Sequence, residues 1–401
     1  MGLAHELTTD EAIFSNYEGV KINYSLQSME TGYQLKAVNL LFENSITTQQ
    51  TDFFFYNNNK AFFKTSNGQF TFDIFAASFY LLSRYEEYLP YKKDKYGRYA
   101  HENSLAYKEE FLHVPLINIW VNDFIISLQQ HYPALKPKLP SFKFQPTYDI
   151  DMAFSYKHKG LLRNIGGFLR QPSAKRLKVL LGRQQDPFDS FDWLQQLHET
   201  NNLAPIYFFL VAEKNGMYDK NILPSKPAMQ ELIKKLAVKY AIGIHPSWQS
   251  TNKKELLLKE KRVLEQICGQ PIILSRQHYI RFNLPDGYQR LIEAGITADY
   301  SMGYGSTNGF RASVASSFYW YNLQTEQTTS LRIHPFCFMD TNSLYQQHCT
   351  PAQALIEILH YHQECKNING TFIGIWHNHT LGTVKLSAGW REVYEQFISS
   401  L

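Results

Sequence analysis

The chain has 401 residues, 44% of them hydrophobic and 19% charged, with a formal net charge of +4 and a sequence pI of about 8.6. That apolar content suits a folded protein, and so mild a basic excess gives no footprint for nucleic acid. No apolar run approaches the about 20 residues of a membrane span.

The predicted elements begin without a basic flank and apolar core over Met1–Glu18, so no signal peptide is expected. Short aromatic strands are predicted over Asp52–Tyr56 and Ala61–Lys64, then a helix over Ile74–Tyr88 with Arg84, Glu86 and Glu87 at its polar end. Tyr91–Tyr107 reads as loop, and Pro115–His131 as a second helix. Pro133, Pro137 and Pro140 interrupt both helix and sheet and mark a boundary. This divides the chain into a smaller α+β domain, 1–135, and a larger one, 142–401.

In the larger part, strand patterns over Phe142–Tyr148, Pro205–Val211, Ala241–Ile244, Ile272–Leu274, Ile296–Ala298, Leu331–Phe336 and Phe372–Trp376 alternate with helical ones. Helices are predicted over Asp189–Asn201, Met229–Tyr240, Lys253–Ile267, Tyr288–Ala294 and Ala352–Glu364. The alternation predicts an α/β fold, a (β/α) barrel slightly short of eight repeats. Lys157–Arg183 is basic with interleaved Leu and Phe. Such a stretch can rest on an anionic membrane, or pack its leucines on the barrel with Lys and Arg in solvent. Cys268, Cys337, Cys349 and Cys365 show no C-x-x-C spacing and read as reduced thiols of a cytoplasmic protein.

In α/β folds ligands bind at the carboxyl ends of strands, and the titratable residues gather there. The first strand ends in Asp149-Ile150-Asp151, the third in His245, the fourth in Arg276-Gln277-His278-Tyr279, the fifth at Asp299, and the last in Trp376-His377-Asn378-His379. Residues i and i+2 of a strand share a face, so Asp149 and Asp151 are expected side by side. Two carboxylates that close repel unless a cation or proton separates them. One can hold a metal while the other takes a proton from water. Asp151, His245 and a third histidine make a carboxylate-plus-two-imidazole set of the kind Zn²⁺ accepts, and Co²⁺, Mn²⁺ or Ni²⁺ would also fit. The Gly-containing run Tyr300–Ala312, with Tyr304 and Arg311, reads as a substrate loop or as a plain turn.

The order Thr147-Tyr148-Asp149-Ile150-Asp151, Ile206–Leu210, Gly243-Ile244-His245-Pro246-Ser247, Arg276-Gln277-His278-Tyr279 and a late strand ending in His377 resembles the polysaccharide deacetylases of the NodB-homology family. It is most similar to the subgroup with an extra N-terminal domain and Asp-x-Asp in place of adjacent aspartates, and Phe75–Glu87 resembles that domain. The resemblance implies a distorted (β/α)7 barrel and metal-dependent removal of N- or O-acetyl groups from sugars, here a glycan or a glycan precursor; if Lys157–Arg183 rests on a membrane, a lipid-linked saccharide would suit such an enzyme. It implies Asp149 as general base and Asp151, His245 and a further ligand on the metal. The family's second metal histidine falls on Gln249, so His278 or Gln249 completes the set. Arg276 or Arg281 would orient the base, Asp299 would steady it, and His377 or His379 would be the general acid. Tyr279, Tyr304, Arg311, Trp376 and His379 would face substrate, with a backbone N–H near Tyr279 at the oxyanion. Two other readings stay open: a hydrolase of another C–N or glycosidic bond, and a sugar-binding or scaffolding protein without catalysis.

Overall fold

The computed structural model describes residues 4–66, 68–170 and 172–401. In the N-terminal third, β1 (Ile22–Ser25) and β2 (Tyr33–Lys36) pair in parallel, and β3 (Phe54–Tyr56) and β4 (Asn59–Ala61) form a hairpin. Asn57 and Asn58 close it with φ of 46° and 63°, the positive pair that a two-residue I′ turn requires and asparagine tolerates. Helices Ile74–Leu82 and Leu116–His131 follow, and the rings of Phe62, Phe72, Tyr80 and Trp120 meet edge to face in the core. The helix expected to reach Tyr88 stops at Leu82. Arg84 takes the left-handed conformation (φ 56°, ψ 45°), and Tyr85–Glu87 forms a separate 3₁₀ turn. Arg84, Glu86 and Glu87 are consequently buried and not on a solvated helix end.

From Lys143 the chain builds a nine-stranded mixed sheet of an α/β fold. Its strands are β5 (Lys143–Ile150), β6 (Ile206–Phe209), β7 (Ala241–Ile244), β8 (Leu274–Ser275), β9 (Ala298–Asp299), β10 (Phe318–Asn322), β11 (Gln327–Ile333), β12 (Phe338–Met339) and β13 (Thr371–His377). Their order is β10-β11-β9-β8-β7-β6-β5-β13-β12, parallel throughout except for β10 against β11. Helices Phe191–Thr200, Pro227–Ala237, Lys254–Cys268, Asp286–Glu293 and Pro351–Asn367 lie between strands, close to the expected ranges. The seven expected strands omit β10, an antiparallel edge, and β12, which has two residues and no legible period. The stretch Gln327–Met339 links the two ends of the order. β11 pairs with β9, the Phe336 and Cys337 amides donate to the Met302 and Ile373 carbonyls at 3.1 and 3.4 Å, and β12 pairs with β13.

The run Tyr300–Ala312, read as a substrate loop or a plain turn, is a seam between the two parts. The Phe310 amide donates to the Leu112 carbonyl at 2.8 Å, and the Ile117 amide to that of Ser313 at 3.0 Å. Arg311 Nη2 lies 2.6 Å from Glu87 Oε2, and Arg84 donates to the Arg311 carbonyl and the Tyr304 hydroxyl. Tyr304 and Arg311 are 2% and 1% exposed.

On the helix side of the sheet, the Tyr148 hydroxyl lies 2.7 Å from His198 Nε2. Burial pushes His198 down to about 4. Its unfolded value is about 6.5, so below that only the unfolded chain takes the proton. This stability is complete above pH about 6.5 and is lost as pH falls towards about 4, by up to about 3 kcal/mol. His198→Gln keeps a partner for Tyr148, and urea midpoints at about pH 7 and about pH 4.5 should converge relative to wild type. An unchanged difference would remove His198 from the acid sensitivity.

Candidate metal and catalytic site

The strand ends converge as alternation requires. In register, Asp149 on β5 stands between His377 on β13 and Phe208 on β6. Asp151 follows the end of β5, and His245 follows β7. His245 Nε2 lies 3.1 Å from Asp151 Oδ1 and 3.8 Å from Asp149 Oδ2, so both carboxylates face one place. His278 Nε2 and His377 Nε2 each lie 3.6 Å from Asp151 Oδ2. Asp149, His245, His278 and His377 are buried, and the Asp151 side chain keeps 19% exposure.

Each imidazole is held from behind. His245 Nδ1 donates to the Arg276 carbonyl at 2.6 Å, His278 Nδ1 to Asp219 Oδ1 at 3.0 Å, and His377 Nδ1 to Asp340 Oδ1 at 2.7 Å. Those oxygens can only accept, so Nδ1 carries a proton and Nε2 is turned inward as ligand or proton carrier. The acids are held in turn. Asp219 accepts from the Trp248 amide at 2.9 Å and from Gln249 Nε2 at 3.0 Å. Asp340 accepts from the His377 amide at 2.8 Å and from the Thr380 hydroxyl. Gln249 therefore stands behind His278 and outside the inward-facing set.

Arg276 Nη1 donates to Asp149 Oδ1 at 2.9 Å and to Thr147 Oγ1 at 2.8 Å, and its Nε to the Tyr300 carbonyl at 3.0 Å. Its guanidinium lies 4.4 Å from the Phe208 ring. Gly243 allows that packing, since a Cβ there would come within 2.5 Å of the same ring. Arg281 is elsewhere, stacked 4.1 Å over Trp248.

The electrostatics favour a cation. Burial opposes charge on Asp151, yet His278 and His245 hold its carboxyl well below the usual range. Burial also opposes charge on His278 and His377. Asp151 and Asp219 nevertheless push His278 up to about 9, and Asp340, Asp151 and Asp149 push His377 up to about 9. One ligand atom each from Asp151, His245 and His278 lies within 4.8 Å of the others. Asp151 Oδ1 is buried without a hydrogen-bond partner. These donors and that unsatisfied oxygen fit a tetrahedral divalent ion with one position left over.

Residues 1–133 match a family model described as "Family of unknown function (DUF7033)". No curated protein matches the chain. Among solved structures it is similar to a protein from Mycobacterium smegmatis titled a polysaccharide deacetylase, at 14% identity, TM-score 0.44, covering 67% of this chain and 86% of that one. It is also similar to a polysaccharide deacetylase from Bacillus cereus, at 8% identity, TM-score 0.32, covering 65% and 88%. A third is a CE4 family pseudoenzyme from Bacillus anthracis, at 8%, TM-score 0.32, covering 65% and 63%.

The remaining expected site residues are scattered. Asp299 is fully buried and accepts from the Ser301 amide and hydroxyl at 2.8 and 2.9 Å, and burial pushes its carboxyl up to about 6. His379 packs on His377 and Phe188, and burial, then His377, push it down to about 4. Trp376 faces away from the site, buried against Phe338 and Tyr394, because the alternation that turns His377 inward turns its neighbour to the core. Tyr304 and Arg311 belong to the seam and are closed to substrate. Tyr279 stands at the rim, its ring 4.7 Å from that of His278. Beside it are the half-buried rings of Tyr96, Tyr218 and Trp248, none foreseen, with centroids 5.3 to 5.6 Å from that of Tyr279. Asp219 and Asp340 were also not foreseen.

Proposed function

We propose that this chain is a metal-dependent hydrolase that removes N- or O-acetyl groups from a glycan, a glycan precursor or a lipid-linked saccharide. The observation that carries the reading is the set of three imidazoles, each backed at Nδ1 and turned at Nε2 towards Asp151. Asp151, His245 and His278 would hold the ion, Zn²⁺ or another first-row divalent metal. A metal of this class polarises a carbonyl and makes water acidic enough to attack it.

The chain's own groups supply the rest. Asp149 takes the proton of the attacking water at Oδ2, since its Oδ1 is tied to Arg276. Arg276 orients this base, and Asp299 adds negative charge near the buried guanidinium. His377, protonated and backed by Asp340, donates from Nε2 to the leaving nitrogen or oxygen. His379 is a poor rival for that step, because its surroundings keep it neutral. Tyr96, Tyr218, Trp248 and Tyr279 form an aromatic wall suited to the apolar face of a sugar ring. Tyr96 gives the N-terminal domain, 1–135, a part in the site. The seven-stave barrel implied by the resemblance agrees with Gln327–Met339 spanning from β9 to β13. Four free cysteines suit a reducing, cytoplasmic setting.

Elemental analysis tests the reading. Wild type should retain about one equivalent of metal, and His245→Ala and His278→Ala should lose it. Gln249→Ala should keep the site with affinity reduced about 10–100-fold, since it disturbs only the carboxylate behind His278. A wild type that takes up no Zn²⁺, Co²⁺ or Mn²⁺ would defeat the hydrolase reading and favour the sugar-binding one.

A further inference from the structure

Helices Leu161–Arg170 and Ala174–Leu180 are inserted between β5 and β6, soon after Asp151. Their leucines are not seated on the sheet. Leu161, Leu162 and Leu169 are 76%, 86% and 76% exposed, and Ile165, Leu177 and Leu181 are exposed as well. Leu161, Leu162, Ile165 and Leu169 follow helical spacing and make one stripe. Residues 157–183 hold eight Lys and Arg and no Asp or Glu, whereas the rest of the chain has 32 basic against 36 acidic residues. The chain's positive charge is thus concentrated where its apolar surface is bare.

The segment is fixed to the rim of the site. The Ser155, Tyr156 and Lys157 amides donate to the Asp186 carboxylate at 2.7, 2.7 and 2.9 Å, bracketing its two ends. Arg163 donates to the Lys220 carbonyl at 3.3 Å, and Lys175 to that of Thr383 at 2.7 Å. Those carbonyls lie beside Asp219 and shortly after His379. Met217, 77% exposed, lies in the same loop as Asp219 and Lys220.

We propose that this helical pair is a docking surface for an anionic lipid bilayer, and that it sets the mouth of the site against the membrane surface. A stripe of leucines entering the headgroup boundary, flanked by Lys and Arg attracted to anionic lipid, is the chemistry of interfacial helices. Nucleic acid would answer the charge but leave the leucines bare. No helix among the described residues is long and apolar enough to cross a membrane, so attachment would be peripheral.

The test is flotation of the full chain with phosphatidylcholine vesicles, with and without phosphatidylglycerol. Binding needs no turnover, so the result is independent of the hydrolase reading. Wild type should float with the anionic vesicles and lose this in high salt. A Leu161→Ser, Leu162→Ser, Leu169→Ser variant and an Arg170→Glu, Lys178→Glu variant should each bind at least about tenfold more weakly, with unchanged melting. Failure of wild type to bind would overturn the proposal, as would full binding by both variants. A concentration-dependent dimer in sedimentation, lost in the leucine variant, would assign the stripe to a second copy and overturn it too.

Discussion

Asp149→Asn should lower turnover of an acetylated sugar by about 10²–10⁴-fold, the usual contribution of a positioned general base, while metal content stays at the wild-type level. The separation follows from the geometry. Asp151 Oδ1 is the nearer neighbour of His245 Nε2, at 3.1 Å, and Asp149 Oδ2 stands off at 3.8 Å with its other oxygen on Arg276. Asparagine keeps the shape and loses the proton acceptor. It also leaves Arg276, fully buried, without its ion-pair partner, so some stability should go as well. Activity is therefore to be read on protein shown folded by circular dichroism. Turnover within about tenfold of wild type would take the base role from Asp149. Metal loss equal to that in His245→Ala would make it a ligand instead.

Legibility in the sequence followed distance along the chain. The inward set was readable because every member sits at a strand's carboxyl end, and strand period alone tells that Asp149 and Asp151 share a face. The same period, carried one residue further, puts Trp376 in the core when His377 faces the site. The acids behind the histidines were not readable. Asp219 meets His278 across 59 residues and Asp340 meets His377 across 37. No local pattern marks either, since Asp340 follows a two-residue strand and Asp219 lies in a loop. Geometry separates the alternatives only by contact: Arg276, not Arg281, reaches Asp149, and Gln249 reaches Asp219. For Tyr300–Ala312 the glycines left a substrate loop and a plain turn equally open, and Gly303 is pinned where a Cβ would come within 2.4 Å of the Phe336 ring.

That seam yields the largest expected loss of stability. Glu87→Ala or Arg311→Ala should each destabilise the chain by about 3–5 kcal/mol, a large share of a domain's usual margin. Arg84, Glu86, Glu87 and Arg311 form a buried, balanced set of two cations and two anions, with Glu87 Oε1 bonded to Arg84 Nε at 2.8 Å and to Arg311 Nε at 2.9 Å. Burial raises both carboxyls. On Glu86 it prevails, while on Glu87 the guanidiniums of Arg311 and Arg84 overcome it and hold the group below its ordinary value. Removing one partner leaves the buried set with one unit of unbalanced charge out of reach of water. Replacing Glu87 and Arg311 together by Leu and Met removes both charges, so the pair should cost less than the single changes added. Denaturant midpoints measure the coupling. If Arg311 instead contacted substrate, Arg311→Ala would raise KM at unchanged midpoint. The seam predicts a falling midpoint with KM unchanged for the molecules that remain folded.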